Sequence, residues 1–275
     1  MKTYKRIEKL EEAVSFAYED ISKKDFALSC VVADIGTDHG YLAEKLSKLD
    51  HIGKVIASDI SEKSLSKLQK LIKNRNLTKI ETVVGDGLEP IEKADVSVIA
   101  GIGGWEIIKI LKTQNQTSDG KTKCDYFVLQ PAQNVVELRT WLFSNKIRVL
   151  SDYVIEDAER FYPIIIVNVS EKQSNRKDIY NLWIGRDCWR YPEDFRLFLK
   201  EIKESFTFLK DISKERAKED KVLYQKYRLN KLIDKLLKKY ENIDSWREWD
   251  YVRKYIKVSR DWRCFDCWRK WTFEV

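Results

Sequence analysis

The sequence predicts an α/β chain: a mostly parallel, doubly wound sheet within residues 1–170, followed by a helical region over 171–275. Three observations predict it. From Cys30 to about Asn168, short β-branched runs alternate with stretches of helical periodicity. Several of these runs are apolar throughout, as in strands covered on both faces. Beyond Pro192-Glu193-Asp194, a good helix start, apolar residues recur at three- and four-residue steps instead.

Taken in order, the chain opens on a charged amphipathic stretch after Met1-Lys2-Thr3-Tyr4-Lys5-Arg6, without the apolar centre of a signal peptide. The predicted strands are Cys30–Ile35, Lys54–Asp59, Ile80–Val84, Val96–Ala100, Tyr126–Gln130, Arg148–Tyr153 and Ile164–Val169. Helical patterns fall between them at Tyr41–Leu49, Glu62–Arg75, Trp105–Lys112 and Val135–Asn145. The polar stretch 113–124 reads as a surface loop. Two apolar stripes, one from Phe195 through Leu199, Ile202, Phe206 and Leu209, the other from Val222 through Leu229, Ile233, Leu236 and Tyr240, predict a helical hairpin over about 193–240, or a short coiled coil. Such stripes are packing surfaces rather than ligand sites. The polar segment 213–220 is where the hairpin turns or where both helices lie exposed. In residues 241–275, five of the nine tryptophans are interleaved with basic residues. They either stack on bases or pack the tail back onto the body.

Composition narrows the class. Of 275 residues, 43% are hydrophobic and 35% charged, which excludes disordered, collagen-like and low-complexity chains. No apolar run approaches the ~20 residues of a membrane span, so a soluble, cytoplasmic protein is expected; a monomer is expected as well. The five cysteines form no disulfide framework. Cys264-x-x-Cys267 lacks a second ligand pair, with His39 and His51 far away in sequence, so no metal site is expected. Charge is lopsided: residues 195–275 hold 22 Lys+Arg against 14 Asp+Glu, the first 194 residues 29 against 30. An excess at one end suits an acidic partner such as nucleic acid or an anionic surface, or a solvated lysine-rich helix face.

Four glycine turns at predicted strand ends carry the chemistry. Asp34-Ile35-Gly36-Thr37-Asp38-His39-Gly40 follows the first strand, and Gly36 and Gly40 let backbone approach a ligand whose anionic group the turn's N–H groups could face. Asp38 replaces the second glycine of the dinucleotide fingerprint, and an acid before the turn suits a cationic amino group. S-adenosylmethionine has that amino group, a carboxylate and a ribose. Asp59, followed by Ile60, ends the second strand where a carboxylate could bond ribose hydroxyls. Asp86, between Gly85 and Gly87, could accept from an adenine amino group, or merely brace its turn. Gly101-Ile102-Gly103-Gly104 opens backbone after the fourth strand, where the transferable methyl would lie. His39 is read either as part of the pocket or as a helix-start residue bonding its own turn.

The strings Ala-Asp-Ile-Gly-Thr-Asp-His-Gly-Tyr-Leu (33–42), Gly-Asp-Gly-Leu (85–88) and Ala-Gly-Ile-Gly-Gly (100–104) resemble the bacterial tRNA (adenine-22-N1)-methyltransferase family. Leu129-Gln130-Pro131, Leu138-Arg139-x-Trp141-Leu142 and the segment from Glu156 to Tyr162 fit the same family. The resemblance covers about residues 1–240. It implies a seven-stranded class I (Rossmann-like) methyltransferase sheet, S-adenosylmethionine as donor, a coiled-coil C-terminal region, and methylation of adenine N1 in the D-arm region of a tRNA. Two positions depart from the family's pattern: Ala132 stands where an Asn usually follows Gln-Pro, so that Gln133 or Asn134 must substitute, and Ile102 replaces a Met.

On this reading Asp34, Gly36, Asp38, His39, Gly40, Asp59, Ile60, Asp86, Gly87, Gly101 and Ile102 bind the donor. Gly103, Gly104, Gln130 and Pro131, with Tyr162 able to stack, hold the base; Tyr162 buried beside the last strands and Trp141 in the core are the plainer placements. Lys231, Lys235, Lys238 and Lys239 contact RNA. Adenine N1 already carries an in-plane lone pair, so alignment and electrostatics suffice and no nucleophilic triad is needed. Rival readings are a class I methyltransferase acting on a small molecule or protein, and an RNA-binding module that has lost catalysis.

Overall fold

The computed structural model describes residues 4–23, 29–117, 120–173, 179–209 and 212–240. Seven strands form one sheet: β1 (Cys30–Ile35), β2 (Ile52–Asp59), β3 (Ile80–Val84), β4 (Val96–Ala100), β5 (Tyr126–Gln130), β6 (Ile147–Asp157) and β7 (Arg160–Lys172). Their order is β3-β2-β1-β4-β5-β7-β6, parallel from β3 to β5, with β7 antiparallel to both its neighbours. The chain moves outward from β1 to β3 and then returns to place β4 on β1's other side. That reversal opens a crevice at the carboxyl ends of β1 and β4.

Helices α1 (Lys5–Ser22), α2 (Tyr41–Leu46) and α3 (Glu62–Arg75) share one hydrophobic core with the sheet, and α4 (Gly104–Thr113) and α5 (Val135–Ser144) share the other. Strand residues alternate between the two: Tyr126 and Val128 of β5 join the first, Phe127 and Leu129 the second. Both sides of each pleat are therefore apolar, which is why the runs show no polar alternation.

The structure lengthens the last two strands. The sequence pattern leaves 154–163 outside any strand, yet β6 and β7 turn on Ala158-Glu159, both with positive φ (51° and 61°). A two-residue turn of this kind matches strand twist but normally takes Asn or Gly, so Ala-Glu gave no hairpin signal. The tight turn extends Asp157 and Tyr162 beyond the end of β5. α2 stops at Leu46 rather than Leu49, because the N–H groups of Lys48 and Leu49 bond carbonyls three residues back and tighten the last turn. The polar stretch after α4 is not all surface: Gln114 and Asn115 are buried.

Beyond the sheet lie α6 (Ile179–Ile184), α7 (Pro192–Ser205), α8 (Lys214–Lys218) and α9 (Lys221–Tyr240). Phe195 and Leu199 of α7 pack with Leu229, Ile233 and Leu236 of α9 in a third core. α8, capped by the Ser213 hydroxyl, occupies the polar stretch between them. Arg139 ties this region to the sheet. It makes two bonds to buried Asp152 (2.7 and 2.9 Å) and donates to the Leu182 carbonyl at 3.1 Å. The Trp-rich segment 241–275, with Cys264 and Cys267, lies outside the described residues. No helix among the described residues is long and apolar enough to cross a membrane.

Candidate active site

The crevice is built from four turns at the carboxyl ends of β1 to β4, joined by the turn after β5. In the first, Asp34 is buried at 4% exposure and accepts a hydrogen bond from the Thr37 hydroxyl at 2.7 Å. Burial pushes its carboxyl up to about 6; bonds from Thr37 and the Ala43 N–H offset part of that rise, and the nearby Asp59 charge adds to it. The turn's own N–H groups are largely engaged within the protein, against the sequence expectation that they point at a ligand. Gly36 and Thr37 donate to the Ser58 carbonyl (2.8 and 3.0 Å), Gly40 to the Thr37 carbonyl, and Asp38 to the Asp59 carboxylate at 3.0 Å. What the turn offers is space. Gly36 has φ +72° and nothing within 4 Å of where a Cβ would stand. Gly40, at φ +70°, would drive a Cβ into the Leu68 side chain, so its role is packing against α3.

Asp59 stands at the end of β2, its two carboxylate oxygens accepting from the Asp38 and Ser61 N–H groups. Each oxygen retains acceptor capacity for a further donor. Ile60 beside it is 74% exposed, an apolar side chain presented at the crevice wall. Asp38 and His39 are exposed and lie 3.6 Å apart, with the His39 ring near Tyr41. Asp86 is exposed and its carboxylate braces nothing among the described residues. The turn around Gly87 is held instead by Gln114, whose Oε1 accepts from the Leu88 N–H at 2.8 Å. Gln114 lies in the polar stretch read as surface and carried no sequence signal for this role.

On the β4 side the glycines divide. Gly101, at φ +81°, has nothing within 4 Å of a Cβ position, so the backbone there is open. Gly103 and Gly104 are buried and face the turn after β5. The Gly104 N–H donates to the Gln133 carbonyl at 2.9 Å, Ala132 donates to the Ile102 carbonyl at 2.8 Å, and a Cβ on Gly104 would strike the Asn134 carbonyl. The expectation of open backbone is thereby corrected at Gly103 and Gly104: Gly103 pairs its backbone with Gln133, and a Cβ there would meet the Glu106 carboxylate, while the missing side chain of Gly104 lets the two turns dock. Gln130 is 1% exposed, its amide nitrogen donating to the Pro131 carbonyl at 3.1 Å. Ala132 and Gln133 are exposed, and the Gln133 amide lies beside Gly103. Asn134, at φ 56°, is the N-cap residue of α5. Tyr162 is half-buried against the first core. Among the described residues no cluster of His, Cys, Asp or Glu could hold a metal.

Lys231, Lys235 and Lys238 lie exposed on α9, opposite Leu229, Ile233 and Leu236; the Lys239 side chain lies outside the described ones. The structure brings the β1 to β5 residues together at one crevice and places the α9 lysines on a separate element.

A mixed sheet with this order, glycine turns at the switch point and acids at successive strand ends define a methyltransferase domain. The chain belongs to that family: the model described as "Methyltransferase domain" matches residues 24–165. More particular likenesses follow. The tRNA (adenine(22)-N(1))-methyltransferase of Bacillus subtilis is 27% identical over 220 residues, covering 78% of this chain and 90% of that protein. A Mycoplasma genitalium protein provisionally named a tRNA methyltransferase is 34% identical over 147 residues. That match spans 52% of this chain and only 63% of the relative. Among solved structures, M. capricolum TrmK in complex with S-adenosyl-homocysteine superimposes with a TM-score of 0.66 at 22% identity, covering 85% of this chain and 99% of that one. This last likeness bears on the fold alone.

Proposed function

We propose that this protein transfers a methyl group from S-adenosylmethionine to N1 of adenine 22 in the D-arm region of tRNA. The observation that carries the proposal is the likeness to the Bacillus subtilis enzyme, which extends over 90% of that protein and past the methyltransferase domain into the helices. The crevice suits the donor. Gly36 and Gly101 leave open cradles on either side of the switch point, Asp59 can accept from ribose hydroxyls, and exposed Ile60 can pack against an adenine face. Asp34 would act through the turn it braces with Thr37, Asp38 and His39 would line the methionine end, and Asp86 would accept from the adenine amino group. Gly87 and Ile102 would complete the walls.

When bound, S-adenosylmethionine supplies an electrophilic methyl group. The protein's task is to hold the acceptor adenine with its in-plane N1 lone pair in line with that methyl, in a site without water. Gly103 and Gly104 dock the turn after β5 close to the crevice, so Gln130 and Pro131 form a fixed edge against which a base can be seated. The amide that Ala132 lacks would come from Gln133, which reaches beside Gly103, or from Asn134, whose side chain makes no capping bond at the start of α5. N1 lies on the pairing edge, so the nucleotide must leave its stack before transfer.

Residues 1–170 form the donor-binding domain and 171–275 the RNA-engaging region, with α7 and α9 serving as the coiled-coil element. Lys231, Lys235 and Lys238 of α9 lie on the exposed face of that helix, with Lys239 one residue further along, and would contact phosphates. The protein works in the cytoplasm as a monomer. The test is transfer from labelled S-adenosylmethionine into unmodified tRNA carrying adenine or guanine at position 22. Label found only with adenine, mapped to N1, supports the proposal; binding of donor and tRNA without transfer would instead favour a catalytically degenerate RNA-binding module.

A further inference from the structure

Arg6, in the first turn of α1, has no place in the donor site, yet it lies at the acceptor edge of the crevice. Its guanidinium stands 5.1 Å from the centre of the Tyr162 ring and donates to Gln130 Oε1 at 3.5 Å. Its backbone N–H donates to the Asp157 carboxylate at 3.0 Å, which pins the start of α1 to the β6–β7 hairpin. Gln130 is fixed in turn by its bond to the Pro131 carbonyl. The cation therefore sits on a rigid frame of three elements, α1, β5 and the hairpin.

Its charge is unmatched. No carboxylate among the described residues lies within ion-pair distance of the Arg6 guanidinium. Asp157 is used by the backbone, and the neighbouring Lys5 is bonded to Asp194 at 2.7 Å. Holding a half-buried guanidinium against a neutral amide and an aromatic face costs solvation that no anion among the described residues returns by an ion pair. An anionic ligand would return it, and a guanidinium's planar fork of donors matches a phosphate.

We propose that Arg6 binds a backbone phosphate of the acceptor strand next to the nucleotide being methylated, with Tyr162 and Gln130 holding the guanidinium in place. This rests on the proposed tRNA reading. It makes the first turn of α1 part of the acceptor site, a second phosphate contact apart from the α9 lysines. Arg6 sets where the strand lies, and through Gln130 the same contact reports to the edge on which the base sits.

The test compares wild type, Arg6→Gln and Arg6→Lys in tRNA binding across a salt series, in donor binding, and in transfer. For Arg6→Gln, tRNA affinity should fall about tenfold, the worth of one charge-assisted contact. The slope of log affinity against log salt should shrink by about one, with donor affinity unchanged. Arg6→Lys should restore the salt slope but only part of the affinity, since an ammonium cannot reproduce the fork. An unchanged slope in Arg6→Gln, or a parallel loss of donor binding, would overturn the assignment. A wild type that binds tRNA without methylating it would refute the enzymatic reading while the slope comparison still decides Arg6. A wild type that does not bind tRNA would sink both.

Discussion

Asp34 is a carboxylate that the fold holds at a cost, and Asp34→Asn should stabilise the protein at neutral pH. In the unfolded chain the group titrates near 3.8; in the folded protein burial pushes it up to about 6. The folded state therefore binds the proton more tightly, so stability falls as pH rises from about 3.8 to about 6 and stays reduced above that window. A rise of about two units corresponds to about 3 kcal/mol of penalty at pH 8. Asn removes that penalty but offers one acceptor oxygen where Thr37 and the Ala43 N–H use the carboxylate. Losing one such bond costs about 1 kcal/mol. The net expectation is a gain of about 2 kcal/mol at pH 8. At about pH 4.5 the remaining penalty is only about 1 kcal/mol and cancels the lost bond. Urea unfolding of both proteins at pH 4.5 and pH 8 measures this directly. A difference that is the same at both values, or a loss at both, would refute the reasoning. Donor binding, followed by calorimetry, should weaken in the variant, marking the carboxylate as a functional charge carried against stability.

Other expectations follow from the same geometry. Arg139→Met leaves Asp152 buried without its partner and should cost about 3–5 kcal/mol in chemical denaturation, whereas Arg139→Met with Asp152→Leu should recover most of that loss. Gly104→Ala forces a Cβ onto the Asn134 carbonyl. It should cost about 1–3 kcal/mol and lower turnover more than donor affinity, because the displaced turn carries Gln133; unchanged kinetics would place that turn outside the reaction. Gln114→Ala strips the acceptor from the Leu88 N–H, with an expected loss of about 1–3 kcal/mol and weaker donor binding by calorimetry. Reversing the charges of Lys231, Lys235, Lys238 and Lys239 together should flatten the salt dependence of tRNA binding and leave donor affinity unchanged. Full retention of tRNA affinity would take α9 out of the interface.

The sheet and its crevice could be read from the sequence because each is a local signal. Val31-Val32-Ala33, Val96–Ala100 and Phe127-Val128-Leu129 are apolar on both faces of the pleat, and glycine stands where the backbone needs positive φ at 36, 40, 87 and 101. Asp59 announced itself by its place after a strand. The lengths of β6 and β7 did not, because the Ala158-Glu159 turn adopts a glycine conformation without glycine. That hairpin is what puts Asp157 and Tyr162 beside Arg6.

The set of turns and their order is legible along the chain, since strand, turn and helix preferences act over a few residues. Tertiary structure alone decided what fills the space around them. It assigned Gly36 and Gly101 to open cradles but Gly104 to the underside of Asn134, and it set Gln114 beneath the Gly87 turn. It also brought Arg6 to Gln130 across 124 positions of chain. Whether a glycine meets a ligand or a neighbouring carbonyl depends on packing between distant segments. No spacing along the chain encodes that distance.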